Sequence, residues 1–159
     1  MGELSVSREV AAPAEQVWRR LTDWPAHGRW VPLTSVRVTS GGATGVGTTF
    51  VGRTGLGRVG FDDPMTVTRW EPPTADGTGR CVLRKTGRVV LGGAELTVRP
   101  LGTGRCVVQW SERLDVAGLR RLPLADAVTA RSGALFFRRA LSRMASEVER
   151  AAAVGAGPA

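Results

Sequence analysis

Few groups in this 159-residue chain can titrate or attack a substrate. His27 is the single histidine and tyrosine is absent, which removes two common proton carriers. As a general base His27 needs an orienting partner, and Asp23 stands four residues before it. Its polar setting, Pro25-Ala26-His27-Gly28, reads instead as a surface position between two short helices. A lone histidine with no cysteine or histidine at ligand spacing makes no metal site. No serine lies in a Gly-x-Ser-x-Gly setting. The glycine-rich stretch 41–60 has neither a phosphate-binding loop nor a dinucleotide fingerprint, and Gly55-Leu56-Gly57 reads as hairpin chemistry. No cofactor is expected. Cys81 and Cys106 form no disulfide framework and read as buried thiols inside strand-like runs.

Two runs carry more chemical interest. Within 105–115, Cys106, Val108, Trp110, Glu112 and Leu114 share one face, and four of these five are apolar. That face should point inward and take Glu112 with it. A buried carboxylate is costly unless it is paired or protonated. One reading puts Glu112 at a cavity mouth, hydrated or paired with an arginine. The other makes it a polar anchor for a ligand hydroxyl or, in an enzyme, the general acid/base. Within 80–86, Val82, Arg84 and Thr86 alternate with Cys81, Leu83 and Lys85. Both faces carry a cation, so the inward one stays open. An inward Arg84 would be a candidate partner for Glu112.

These residues must be held by larger elements. Leu4, Val6 and Val10 alternate with polar neighbours, the period of a half-buried strand. Pro13 followed by Glu15 marks a helix start, and Ala14, Val17, Leu21 and Trp24 follow at helical spacing. Asp23-Trp24-Pro25 interrupts that helix, and a second short one covers 25–30. Trp18, Trp24 and Trp30 should pack both pieces onto a sheet. From 35 to 115, β-rich runs separated by glycine turns predict about six consecutive antiparallel strands. The run 58–71 is expected to break at Asp62-Asp63-Pro64, because proline cannot donate to a ladder. Ala130, Ala134, Phe137, Leu141, Met144 and Val148 then form an apolar stripe at spacings of three and four. They predict a long amphipathic helix beginning near Asp126. Gly133 within it either leaves room for a ligand or eases close packing. Residues 152–159 read as a flexible tail, leaving one domain over 1–151.

Strands followed by a covering helix give an α+β architecture. A sheet curved around one helix leaves an apolar cavity, for which Phe50, Trp70, Trp110 and Phe137 are candidate walls. The size suits one domain, and 42% hydrophobic and 23% charged residues exclude disordered or coiled-coil classes. There is no apolar run of 18 residues. The N-terminal MGELSVSREV lacks a signal-like apolar stretch, so a cytoplasmic location is expected. The net charge of +8 comes from 21 arginines and one lysine, Lys85. Arginines scattered from Arg8 to Arg150 argue against nucleic acid as the main partner, while peripheral membrane contact stays open.

Motifs in the same order and spacing carry a resemblance. These are Ala12-Pro13-Ala14-Glu15-Gln16-Val17-Trp18, Leu21-Thr22-Asp23-Trp24, Trp30-Val31-Pro32, Val46-Gly47-Thr48, Glu71-Pro72-Pro73 and Pro100-Leu101-Gly102-Thr103-Gly104. Over residues 3–150 the chain resembles the START-like (SRPBCC) superfamily, and within it the bacterial polyketide cyclase/dehydrase and lipid-transport family. The resemblance implies a helix-grip fold: a curved seven-stranded antiparallel sheet around a long C-terminal helix, with two short helices after the first strand. It also implies a hydrophobic small-molecule partner in the cavity, and no single chemistry. The expected function is binding of a lipid, isoprenoid or polyketide-like compound without covalent catalysis. The expected contacts are Phe50, Trp70, Arg84, Trp110, Glu112, Gly133, Phe137 and Leu141. A polyketide aromatase/cyclase is the alternative. An interaction protein that uses its basic surface on nucleic acid or membrane is the second alternative. The sequence leaves open whether any reaction is catalysed and what the oligomeric state is.

Overall fold

Side-chain alternation builds the first strand, β1 (Gly2–Val10), with Leu4, Val6 and Val10 buried. The structure is a computed structural model and describes residues 2–75, 77–116 and 125–155. Pro13 caps α1 (Ala14–Leu21), and its carbonyl accepts from the amides of Gln16 and Val17. Proline suits this place because its missing N–H would have no partner in the first turn. Ala14, Val17, Trp18 and Leu21 form the buried face of α1. A 3-10 turn over Trp24–Ala26 runs directly into α2 (His27–Trp30).

Six strands follow: β2 (Thr34–Val38), β3 (Thr49–Leu56), β4 (Val59–Glu71), β5 (Gly79–Thr86), β6 (Val90–Pro100) and β7 (Cys106–Val116). Each pairs antiparallel with the next, and β1 closes onto β7, giving the sheet order β1-β7-β6-β5-β4-β3-β2. The last element is α3 (Ala125–Gly155), which packs against β1 and the early helices. This is the helix-grip arrangement expected from the sequence. Ala140, Leu141, Met144, Ala145 and Val148 are buried against the inner face of the sheet. Burying a side chain such as Leu141 contributes about 1.5–3 kcal/mol. Ala130 of the expected stripe lies outside the residues whose side chains are described.

Three local features depart from expectation. First, β4 runs unbroken through Pro64. The Pro64 carbonyl accepts from Thr86 Oγ1, so its missing N–H also faces β5, where pairing starts only at Met65 opposite Lys85. No ladder bond is lost, and Asp63 stays in a strand. Second, the β4–β5 register shifts between Val67 and Arg69. Such a bulge changes the parity of the strand. Phe61, Asp63, Met65 and Val67 share the inward face before it, and Trp70 takes that face after it, packing on Trp18 at 5.0 Å. Third, the tail expected from 152 continues as helix to Gly155. Ala152 still packs on the core, and a run of alanines propagates a helix readily. Residues 156–159 lie outside the described residues.

Candidate functional site

The sheet's inner face is filled by α3 along part of its length and left open elsewhere. There lies a cavity of about 220 Å³. Its walls are mainly aromatic and aliphatic: Trp24, Phe50, Phe61, Trp110, Phe136 and Phe137, with Val31, Val36, Met65, Leu83, Val90 and Leu114. The rings pack on one another. Trp24 stacks on Phe50 at 4.4 Å, and Trp110 meets Phe137 at 5.1 Å.

Three charged side chains stand in this apolar wall: Asp63 from β4, Lys85 from β5 and Glu112 from β7. Strand parity brings them together. Cys81, Leu83 and Lys85 form the inward face of β5, and Trp110 and Glu112 that of β7. Between β5 and β7 runs β6, which sets Gly92 opposite both Lys85 and Leu114 and the buried Ala94 opposite Glu112. No long side chain separates the lysine from the glutamate. Gly92 also has a φ of 122°, and a Cβ there would lie 2.0 Å from the Arg113 carbonyl oxygen, so only glycine allows the two backbones this approach.

Lys85 Nζ donates to Asp63 Oδ2 at 2.6 Å and contacts Met65 Sδ at 3.7 Å. It lies 3.6 Å from Glu112 Oε2, near enough for charge attraction and too far for a hydrogen bond. Trp110 Nε1 donates to Glu112 Oε1 at 2.9 Å. Burial alone would lower the Lys85 pKa, but the charges of Glu112 and Asp63 outweigh it and raise the value, so the ammonium form persists. Burial raises the Glu112 pKa. Lys85 and the Trp110 hydrogen bond oppose that rise without cancelling it, and the negative Asp63 adds to it. The net direction for the Glu112 carboxyl is upward from its ordinary range. Among the described residues, Glu112 Oε2, Asp63 Oδ1 and Trp24 Nε1 are buried without a hydrogen-bond partner.

His27 corrects its expected surface position. It is 8% exposed and forms part of the cavity wall, with ring contacts to Trp24, Trp30 and Trp110 at 5.0–5.6 Å. Its Nε2 lies 2.7 Å from the Leu21 carbonyl oxygen, which can only accept, so that nitrogen carries the proton. Burial lowers its pKa against the opposing effects of that carbonyl and of Asp23, which keeps the imidazole neutral. The thiols of Cys81 and Cys106 are buried and pushed up to about 12 and about 11, respectively. They are poor nucleophiles. Among the described residues no group of three His, Cys, Asp or Glu is placed to hold a metal.

Of the residues named from sequence, Phe50, Trp110, Glu112 and Phe137 line the cavity. Arg84 does not: it is exposed on the opposite face of β5, in a groove with Glu95 and Arg113. The cation facing Glu112 is Lys85. Trp70 packs on Trp18 instead of lining the cavity, and Leu141 belongs to the core beneath α3. At Gly133 a Cβ would meet Leu4 Cδ2 at 3.0 Å, so its small size eases helix-to-strand packing. Sequence reasoning missed Asp63, Lys85 and the cavity role of Trp24. One signal was present for Lys85: it is the single lysine in a chain that otherwise uses arginine.

Comparison with known proteins agrees with this architecture. The family model described as polyketide cyclase/dehydrase and lipid transport matches residues 1–149. No curated protein matches the chain in sequence. A START superfamily protein from Mycobacterium smegmatis superimposes with a TM-score of 0.69 at 16% identity, covering 93% of this chain and 99% of that one. The Zhui aromatase/cyclase from a Streptomyces species gives 0.67 at 19% identity, covering 93% of each chain. The di-domain aromatase/cyclase BexL gives 0.66 at 18% identity, covering 94% of this chain and 47% of that one. At such identities the likeness shows the shared fold. No helix among the described residues is long and apolar enough to cross a membrane.

Proposed function

The chain belongs to the polyketide cyclase/dehydrase and lipid-transport family, and from that premise we propose that it binds a hydrophobic small molecule in the cavity, without covalent catalysis. A lipid, an isoprenoid or a polyketide-like compound fits this reading. The observation that carries it is the cavity itself: about 220 Å³, aromatic-walled, with a few convergent polar groups. An apolar cavity of about 150 Å³ admits benzene. The space here suits a somewhat larger ring system, and a longer ligand would extend through the open side.

The test is a thermal-shift screen of fatty acids, isoprenoids and aromatic polyketides, with native mass spectrometry of whatever co-purifies. A ligand at one hundred times its dissociation constant raises stability by roughly 2.7 kcal/mol. Tryptophan emission should change with the same compounds, and Trp110→Phe should stay folded while losing much of that signal. The response should persist at high salt, since apolar burial is not screened. If no apolar compound stabilises the protein while nucleic acid or anionic vesicles do so only at low salt, the reading is wrong and the basic surface is the functional feature.

An aromatase/cyclase-type enzyme is the second reading. One observation favours it: a carboxyl whose pKa burial raises, beside an ammonium group, can polarise a carbonyl held in a shaped pocket. Formation of a cyclised product from a poly-β-ketone substrate would select it.

A further inference from the structure

We infer that Asp63, Lys85 and Glu112 form a subsite for a neutral hydroxyl group at the inner end of the bound ligand, and that this subsite discriminates against carboxylates. The inference rests on the cavity-binding reading and specifies the ligand's polar group.

One ammonium faces two carboxyl groups, so the cluster is negative if both ionise and neutral if one holds a proton. In neither state is it positive. Lys85 directs its protons to Asp63, Met65 and the side of Glu112, and so it is engaged within the protein. A ligand carboxylate would be desolvated beside two carboxyl groups with no free cation to meet it, which is strongly unfavourable.

The unsatisfied atoms then define what does fit. Glu112 is 2% exposed, and its Oε2 has no hydrogen-bond partner among the described residues. Its Oε1 already accepts from Trp110, so Oε2 is the carboxyl oxygen left without a partner. Asp63 Oδ1, also buried, is an unpartnered acceptor. Both residues stand in the wall of one cavity, so each contributes a carboxyl oxygen that can accept, and Glu112 can also donate while it holds a proton. A hydroxyl both donates and accepts, so its chemistry matches either oxygen in either protonation state. An ether or a ketone has no proton to donate and leaves an acceptor unmet. A buried acceptor left unmet weakens binding about 10- to 100-fold when the acceptor is charged. The aromatic walls, Trp24 on Phe50 and Trp110 on Phe137, favour a flat body behind that hydroxyl.

The experiment uses four probes of one ring system at pH 7: naphthalene, 2-naphthol, 2-methoxynaphthalene and 2-naphthoate, titrated into the full chain by calorimetry. We expect 2-naphthol to bind about 10- to 100-fold tighter than the methyl ether, and 2-naphthoate to bind more weakly than naphthalene. The double variant Lys85→Met/Asp63→Leu removes the ion pair and the acceptor together. It should still bind naphthalene and should no longer prefer naphthol over its methyl ether. Equal binding of naphthol and the ether by the unmodified protein overturns the subsite and leaves the cavity reading standing. So does tight binding of naphthoate. Failure of all four probes overturns both. Because the first comparison uses the unmodified chain, the inference remains falsifiable even if the double variant does not fold.

Discussion

This molecule has two carboxylate-centred clusters, and they use different cations. Inside the sheet, Asp63 and Glu112 flank Lys85, whose side chain is 7% exposed. Outside, Glu147 of α3 takes Arg20 of α1, Arg29 of α2 and the Trp30 indole N–H, the last at 2.9 Å. The outer cluster clamps the early helices to α3. Arg29 in it is largely exposed, and an exposed ion pair contributes only about 0–1 kcal/mol. The inner cluster is a buried charge system. Breaking it is costly, whereas replacing it whole by apolar side chains is often neutral. A planar guanidinium can serve several partners at a wet interface, while the compact ammonium of Lys85 fits between two strands. The outer carboxylate thus serves attachment, whereas the inner ones line the cavity.

The largest expected effect is in the inner cluster. Lys85→Met alone leaves two facing carboxyl groups without their cation, and should lose about 3–5 kcal/mol in urea unfolding. Lys85→Met with Asp63→Leu should recover most of that loss. If the single and double variants are equally destabilised, the cluster does not behave as a coupled unit.

Next in size are two opposed pH dependences within the cavity wall, each at most ~1.4 kcal/mol per pH unit. His27 has a folded-state pKa below its ordinary 6.5, so the unfolded chain binds the extra proton first. Its contribution is complete above pH 6.5 and is lost as pH falls through the folded value. Glu112 has a folded-state pKa above its ordinary 4.5, so the folded chain holds that proton. Its contribution is complete below pH 4.5 and is lost as pH rises through the folded value. Unfolding free energies of His27→Gln and Glu112→Gln, each subtracted from the unmodified protein across pH 4 to 8, should slope in opposite directions. Equal slopes would contradict the burial of one of them.

The smallest effect belongs to the outer clamp. Glu147→Gln keeps an acceptor for the Trp30 indole and removes only the charge, so it should cost about 1 kcal/mol or less. That cost should shrink in high salt. A larger, salt-insensitive loss would mean that the clamp behaves like the buried cluster and would erase the contrast.

The sequence reading succeeded where a periodic signal covers many residues. The stripe Phe137, Leu141, Met144 and Val148 is fully legible, because a covering helix must bury one side. The run Cys106, Val108, Trp110, Glu112 is legible for the same reason, and it carried Glu112 inward against its own polarity. It failed where a single residue sets the outcome. Pro64 reads as a strand break, yet the sheet absorbs it because its N–H side faces a stretch where β5 does not pair. Asp63 was lost with that error. His27 lies among polar-looking neighbours, and only the packing of Trp24, Trp30 and Trp110 around it makes its position buried.

Local pattern alone thus determined the order of elements, the covering helix and the inward carboxylate, since each depends on which side of an element must leave water. The tertiary structure alone decided which cation meets that carboxylate. On β5 the two faces offer Arg84 and Lys85 with nearly equal claims, and periodicity cannot choose between them. The choice is made by the neighbours: Met65 and Gly92 stand opposite Lys85, and Gly92 and Ala94 leave the space through which its ammonium reaches toward Glu112. Burial of a charge depends on partners from distant strands, and sequence spacing carries no record of how those strands lie side by side.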